Sequence, residues 1–279
     1  MVPPMAEPNA SPLPVAKWRY VVPNAITSAS LAVGLLVMVA AIEGRFVDAG
    51  WLIVLCVLLD KLDGTFARLL GATSKFGVQL DSLADLVVFG VAPAVTLYRF
   101  ADAHTELYAI WAGWEWVIQG SLALFAICAA LRLAKFNVMT DEPKDGPQVF
   151  FGMPTTLAGG QVGLLLLVGM QYELDGLLQA MPLIALIFAL MMVSNLVLPK
   201  IGKRATKLGN YFQATNLALS YVCGILRIFP EYMLAVSFGY AMAGFIWGLI
   251  HRNELGGPSS PDDSHDDSHD DRHLEPQPS

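Results

Sequence analysis

The sequence predicts an all-α fold, a polytopic membrane bundle of about eight transmembrane helices. Of its 279 residues 55% are hydrophobic and only 15% are charged, whereas a soluble domain carries nearer a quarter charged residues. Mean hydropathy is +0.53. Apolar runs long enough to cross a bilayer core recur along the chain, and no basic patch suggests a nucleic-acid partner.

The helices are predicted from the apolar runs between polar, proline and glycine breaks. Eight runs qualify as spans: 24–43, 48–68, 77–99, 113–134, 154–172, 177–198, 211–229 and 231–251. No repeat of a whole unit and no pair of inverted halves is visible, which disfavours repeat proteins and many transporter folds. The transmembrane domain is therefore predicted to cover residues 21–252.

The two ends of the chain differ from this domain. Residues 1–20 are predicted to form a flexible leader and a short interfacial helix, with Trp18 and Tyr20 at the headgroup level. Residues 253–279 are rich in Asp, His, Ser and Pro, which predicts a disordered acidic tail that also accounts for much of the net charge of −7.

The basic residues predict the orientation. Of the 17 lysines and arginines, all except Arg45, Arg99 and Arg227 fall on the side of the two termini. Cytoplasmic loops carry the excess of basic residues. Both termini are therefore predicted in the cytoplasm, in the cell (inner) membrane.

Four aspartates lie where two spans approach the cytoplasmic side, in DKLDGTFARLLGATSKFGVQLDSLAD. The spacing places one set on a single face of the second span (Asp60, Asp63, Gly64, Ala67) and another on one face of the third span (Gly77, Asp81, Asp85). A short loop joins the two spans, so we expect the acidic faces to meet.

Four facing carboxylates repel each other unless cations lie between them. Oxygen ligands without His or Cys favour Mg²⁺ or Mn²⁺, and two divalent cations fit four carboxylates better than one. The small residues Gly64, Ala67 and Gly77 leave room for a ligand, and Arg68 can offer a fork to phosphate.

The same stretch resembles the CDP-alcohol phosphotransferase family. It matches the pattern D-x2-D-G-x2-A-R-x8-G-x3-D-x3-D at eight positions between residues 60 and 85. The resemblance implies a membrane enzyme that joins an alcohol to the phosphatidyl group of a CDP-linked lipid and releases CMP. It also implies a six-helix core, extended here by two helices, and a homodimer.

The resemblance further implies roles for single residues. Asp60 and Asp81 would bridge two metal ions, Asp63 would complete the first site, and Asp85 would bind the second ion and act as general base. CDP-lipid contacts are implied near the motif and in the earlier segment PNAIT, at Asn24, Thr27, Gly64, Ala67, Arg68, Ser74 and Gly77. For Asn24, a position at a helix start in the interface is the alternative.

Three segments, at 81–94, 131–138 and 150–160, resemble the phosphatidylserine synthase branch of the family, which implies CDP-diacylglycerol and L-serine as substrates. Arg132, Lys135 and Asn137 can supply the cations and amide that a serine carboxylate needs. Lys135 departs from the arginine expected there, which removes a bidentate contact. The alternative is that the two cations anchor lipid headgroups.

Other functions stay open at this point. The same chemistry can serve another acceptor, such as glycerol 3-phosphate or inositol phosphate, or an archaeal ether-lipid donor. The basic run LPKIGKRATK at 198–207 is compatible with an acceptor that bears phosphate. A more remote alternative is an ion-coupled transporter that uses the acids as its transport site.

Overall fold

A computed structural model describes residues 18–71, 74–140, 149–194, 197–199 and 207–250. The predicted leader before residue 18, the basic run at 200–206 and the predicted tail at 253–279 lie outside these residues. The α-helices in chain order are α1 (Trp18–Ile42), α2 (Phe46–Leu70), α3 (Lys75–Asp85), α4 (Ala92–Ala103), α5 (Glu115–Thr140), α6 (Thr155–Gln171), α7 (Asp175–Val193), α8 (Lys207–Leu226) and α9 (Pro230–Ile250).

A π-helical segment, Leu86–Val91, joins α3 to α4, so that these three elements form one continuous rod over Lys75–Ala103. The described part of the chain therefore contains eight helical rods, at the positions of the eight predicted spans. Four of them are long and apolar enough to cross a membrane: Val21–Ile42, Lys75–Ala103, Glu115–Val138 and Asp175–Val193. The prediction of an all-α polytopic membrane protein is confirmed.

Two boundaries differ from the predicted ones. Helix α1 begins at Trp18 and continues through Pro23, so it starts six residues before the predicted span 24–43. Helix α7 ends at Val193, and residues 197–198, predicted as helix, belong to a strand. That strand, β2 (Val197–Pro199), pairs antiparallel with β1 (Val149–Phe151). Hydropathy cannot separate an apolar strand of this length from a helix end.

The main core lies among α4, α5, α6 and α7. Its largest fully buried side chains include Leu97, Phe125, Leu166 and Met181. Helix α2 packs along α6, where Gly50 and Gly163 allow the two backbones to come close. Helix α1 packs against α2 on the other side and also against α3.

The π-helical segment is held by close contacts from two sides. A Cβ on Gly159 of α6 would stand 2.6 Å from the Phe89 carbonyl oxygen, and one on Gly34 of α1 would stand 2.6 Å from Val88 Cγ2. Because π-helical turns are uncommon and widen the helix, they depend on such packing. The segment directly follows Asp85 and so fixes where α3 ends.

The three basic residues that were predicted on the side opposite to the termini pair with acids outside the motif of Asp60–Asp85. Arg45 and Arg227 both reach Asp48 at the start of α2, at 3.1 and 3.0 Å. Arg99 pairs with Asp102 at the end of α4. The α1–α2 and α8–α9 turns therefore share one end of the bundle, opposite to the turn between α2 and α3.

Candidate active site

Three of the four predicted aspartates form a compact cluster. Asp60 and Asp63 lie one turn apart near the end of α2, and Asp81 lies on α3. One carboxylate oxygen from each residue lies within 4.8 Å of the other two. Asp63 is 5% exposed, and the other two are partly buried. The i, i+3 spacing and the reversal after α2 together bring these acids to one point.

The turn between α2 and α3 is built by local chemistry. Gly71 follows α2 with a φ of +58°, a conformation that glycine adopts without strain. Ser74 is the N-cap of α3, and its Oγ accepts a hydrogen bond from the Gly77 backbone N–H at 3.0 Å. The residues 72–73 between them are outside the described part.

Helices α2 and α3 approach each other less closely than the short turn suggests. Within the described ranges, α1 packs on both of them, whereas α2 and α3 share few close backbone approaches. The carboxylates of Asp60 and Asp63 on α2 and of Asp81 on α3 nevertheless meet.

Asp85 lies one helical turn beyond Asp81. It interacts electrostatically with Asp60, with Asp81 and with the guanidinium of Arg132. The compact trio found in the described residues does not include it. The motif spacing does not distinguish the four acids, whereas in the structure three of them form a cluster and Asp85 interacts electrostatically with Arg132.

The donor set of the cluster fits a divalent cation. Two carboxylate charges at 4.8 Å, the upper limit of the separations in this cluster, repel by about 3 kcal/mol at an effective dielectric constant of 20. Lys61 Nζ lies 3.7 Å from Asp60 Oδ2, but its side chain is 54% exposed, so this pair is screened by solvent. Close oxygens with no nitrogen or sulfur donor suit Mg²⁺ or Mn²⁺.

The residues predicted to contact the CDP-lipid lie on α1 and α2, on α3 and at its N-cap. A Cβ on Gly77 would lie 3.1 Å from Asn24 Oδ1 and 3.2 Å from Ser74 Oγ, so α1 and α3 meet closely here. Asn24 lies in the second turn of α1 and not at its start. Gly64, Ala67 and the backbone of Arg68 belong to α2; the Arg68 side chain is not among the described atoms.

Thr27 makes a contact that differs from the predicted one. Its Oγ1 lies 2.9 Å from Asp63 Oδ2 and 3.1 Å from the carbonyl oxygen of Pro23. Both Thr27 and Asp63 are 5% exposed. The hydroxyl therefore faces the acidic cluster.

The three residues predicted to bind the acceptor have different surroundings. Arg132 is partly buried, and its Nη1 donates to Thr155 Oγ1 at 2.7 Å. Asn137 exchanges hydrogen bonds with Ser82, the neighbour of Asp81, at 3.0 and 3.2 Å. Lys135 is exposed. Arg132 interacts electrostatically with Asp60 and with Asp85.

Helix α6 contributes two threonines that the sequence prediction did not include. Thr155 is fully buried and holds Arg132, and the Thr156 hydroxyl is placed next to the Asp60 carboxylate. Gly152 positions them, because its φ is +76° and a Cβ there would lie 2.3 Å from the Met192 carbonyl oxygen. The pair occurs in the segment FFGMPTTLAGG, but no sequence periodicity shows that it faces α2.

A separate hollow of about 510 Å³ lies at the other end of the bundle. It is lined by Phe100, His104, Leu107, Gly169, Met170, Glu173, Asp175 and Leu178. Phe100 follows Asp85 by 15 residues of nearly continuous helix, which is about 22 Å. The hollow is therefore not part of the acidic site.

Comparison with known proteins agrees with the motif. A sequence model of the CDP-alcohol phosphatidyltransferase family matches residues 20–201. A CDP-diacylglycerol–serine O-phosphatidyltransferase from Helicobacter pylori (strain J99) is 37% identical over 186 residues, 66% of this chain and 74% of the relative. One of the same name from Methanocaldococcus jannaschii is 34% identical over 195 residues, 70% and 81% of the two chains.

An archaetidylserine synthase from Methanothermobacter thermautotrophicus is 30% identical over 181 residues, 64% of this chain and 70% of the relative. The match includes the acidic cluster, the turn after α2 and the threonines of α6, since all lie within residues 20–201. It favours the enzyme over the transporter alternative. The chain belongs to the CDP-alcohol phosphatidyltransferase family, as the motif between Asp60 and Asp85 predicts.

Proposed function

We propose that this protein transfers the phosphatidyl group of CDP-diacylglycerol to the hydroxyl of L-serine and releases CMP. The observation that carries the proposal is the cluster of Asp60, Asp63 and Asp81, whose oxygens lie within 4.8 Å of one another. The names of the relatives suggest the acceptor, because the three relatives above are named as serine or archaetidylserine enzymes.

The four aspartates would hold two divalent cations, Mg²⁺ or Mn²⁺, which when bound would neutralise charge on the pyrophosphate and on the departing CMP. Asp60 and Asp81 are proposed as ligands of both ions, Asp63 of the first and Asp85 of the second. Asn24, Gly64, Ala67, Arg68, Ser74 and Gly77 surround the CDP moiety in this proposal. The small residues among them let the ligand approach the backbone.

Asp85 is the proposed general base. It takes the proton of the serine hydroxyl, and the serine oxygen then forms a bond to the phosphorus on the lipid side of the pyrophosphate. The bond from that phosphorus to the CMP oxygen breaks, and CMP leaves with its electron pair. Asp85 suits this role because it stands outside the compact trio and interacts electrostatically with the Arg132 guanidinium.

Arg132 is the proposed receptor of the serine carboxylate. Its Nη1 is held by Thr155, while its Nε is buried without a hydrogen-bond partner among the described residues. A buried donor without a partner costs free energy, which a carboxylate ligand would recover. Asn137 and Lys135 lie on the same helix, farther along, and are proposed to support the acceptor side.

The proposal includes the membrane arrangement. The acidic site and both termini would face the cytoplasm, where serine and CMP are dissolved, and the lipid donor would enter from the inner leaflet. The basic-residue asymmetry supports this orientation. The protein is proposed to act as a homodimer among membrane lipids, on the family resemblance alone.

A second candidate keeps serine and changes the donor. The similarity to an archaetidylserine synthase favours a CDP-linked ether lipid as the specific alternative. The chemistry at the phosphorus is the same for both donors. They differ in the lipid part, where the chains are joined to glycerol by ether rather than ester bonds.

The proposal is tested by the purified protein with CDP-diacylglycerol and Mn²⁺. CMP release and the lipid product are measured with L-serine, glycerol 3-phosphate or inositol phosphate as acceptor, and with a CDP-ether lipid in parallel. We expect phosphatidylserine with serine and little product with the phosphorylated acceptors. Faster turnover with a phosphorylated acceptor would reject serine as the substrate while leaving the family chemistry intact.

A further inference from the structure

The side chain of Thr27 connects α1 to the acidic residues of α2. Its Oγ1 is 2.9 Å from Asp63 Oδ2, and both residues are 5% exposed. An ionised carboxylate only accepts hydrogen bonds, so Thr27 is the donor. A buried hydrogen bond to a charged group is among the stronger ones in proteins.

The Thr27 hydroxyl also has a second acceptor within its own helix. The carbonyl oxygen of Pro23, one turn earlier, lies 3.1 Å from Oγ1. Threonine in a helix commonly donates to that carbonyl. The single hydroxyl proton can therefore turn from Asp63 to Pro23 without being left unpaired when Asp63 moves.

Asp60 has a comparable neighbour from the opposite side. The hydroxyl of Thr156 on α6 is placed next to its carboxylate. The two acids of α2 therefore each face a threonine from a different helix. The repulsion between the two carboxylates favours side-chain conformations in which they point apart. Hydrogen bonds from the two hydroxyls hold the carboxylates in place against this repulsion.

We propose that Thr27 is a positioning residue that orients the Asp63 carboxylate for cation binding, rather than a contact to the nucleotide. The inference rests on the proposed function in one respect, that Asp63 is a metal ligand. A carboxylate has two oxygens, so the oxygen that Thr27 does not hold stays available to the cation. Because the cluster is arranged beforehand, less free energy is spent on ordering it when the cation binds.

The test measures Mn²⁺ binding to the full-length protein in detergent without substrate, from the electron paramagnetic resonance signal of free Mn²⁺. Thr27→Val keeps the shape and removes the donor, and we expect about tenfold weaker Mn²⁺ binding. Thr27→Ser keeps the donor and should bind nearly as the unaltered protein does. Thr96→Val is the matched control, because Thr96 is fully buried on α4 and donates to the Ala92 carbonyl of its own helix.

The Michaelis constant for CDP-diacylglycerol at saturating Mn²⁺ separates the two roles of Thr27. If Thr27 positions Asp63, the Michaelis constant of Thr27→Val stays nearly unchanged. If Thr27 contacts the nucleotide, this constant rises while Mn²⁺ binding stays intact, and that result overturns the proposal. Thr27→Ala, followed by its melting temperature, replaces the valine variant if that one does not fold. Asp63→Asn is the reference: if it binds Mn²⁺ normally, Asp63 is not a ligand and the inference fails, whichever acceptor the enzyme uses.

Discussion

Replacing Asp81 by asparagine should affect stability and function in opposite directions. The Asp81 carboxylate lies within 4.8 Å of those of Asp60 and Asp63, and each such pair repels by about 3 kcal/mol at an effective dielectric constant of 20. Partial exposure and proton uptake reduce this repulsion. We therefore expect Asp81→Asn to stabilise the metal-free protein by about 1–2 kcal/mol, which raises its melting temperature by about 2–8 °C.

With Mn²⁺ present the order reverses. The unaltered protein gains stability from the bound cation, by an amount set by the ratio of free cation to its dissociation constant. Asp81→Asn removes a carboxylate that is proposed to bind both ions, so we expect both this gain and turnover to disappear.

The assay is thermal unfolding in detergent, with EDTA and with excess Mn²⁺, beside CMP release. Asp102→Asn is the control, since this acid pairs with Arg99 at the far end of α4, and it should leave both readouts nearly unchanged. An Asp81→Asn protein that is less stable in EDTA, or that keeps its Mn²⁺ stabilisation, would refute the reasoning.

Three further substitutions test other parts of the structure. Asp85→Asn should lower turnover by about 10²- to 10⁴-fold, with little change in the Michaelis constant for CDP-diacylglycerol. Turnover near that of the unaltered enzyme would reject Asp85 as the base. Arg132→Lys loses the planar guanidinium that Thr155 holds, and it should raise the Michaelis constant for serine about tenfold. Lys135→Gln changes an exposed cation and should raise this constant less. Equal effects of the two substitutions would count against Arg132 as the carboxylate receptor. Gly159→Ala places a Cβ 2.6 Å from the Phe89 carbonyl oxygen and should destabilise the protein by about 1–3 kcal/mol. Gly120→Ala has open space around its Cβ and should leave the stability unchanged. If Gly159→Ala is also neutral, the π-helical segment can shift to make room for the methyl group.

The helices and the acidic cluster could be predicted from the sequence because each depends on local spacing. Apolar runs define the rods, and the i, i+3 spacing of Asp60 and Asp63, followed by a short turn, brings Asp81 close. The contacts of Thr27 and Thr156 depend on which helices pack together and how they are rotated, and spacing within one segment does not contain this information. The π-helical segment depends in the same way on Gly34 and Gly159 from other helices.

The measurement that tests the central claim most directly is anomalous X-ray scattering from crystals of the protein grown or soaked with Mn²⁺. The claim is that the carboxylates of Asp60, Asp63 and Asp81 form a divalent cation site between α2 and α3. We expect a Mn²⁺ peak in contact with these three side chains. A protein that is active under the same conditions, with its Mn²⁺ bound elsewhere or with the three side chains turned apart, would contradict the claim.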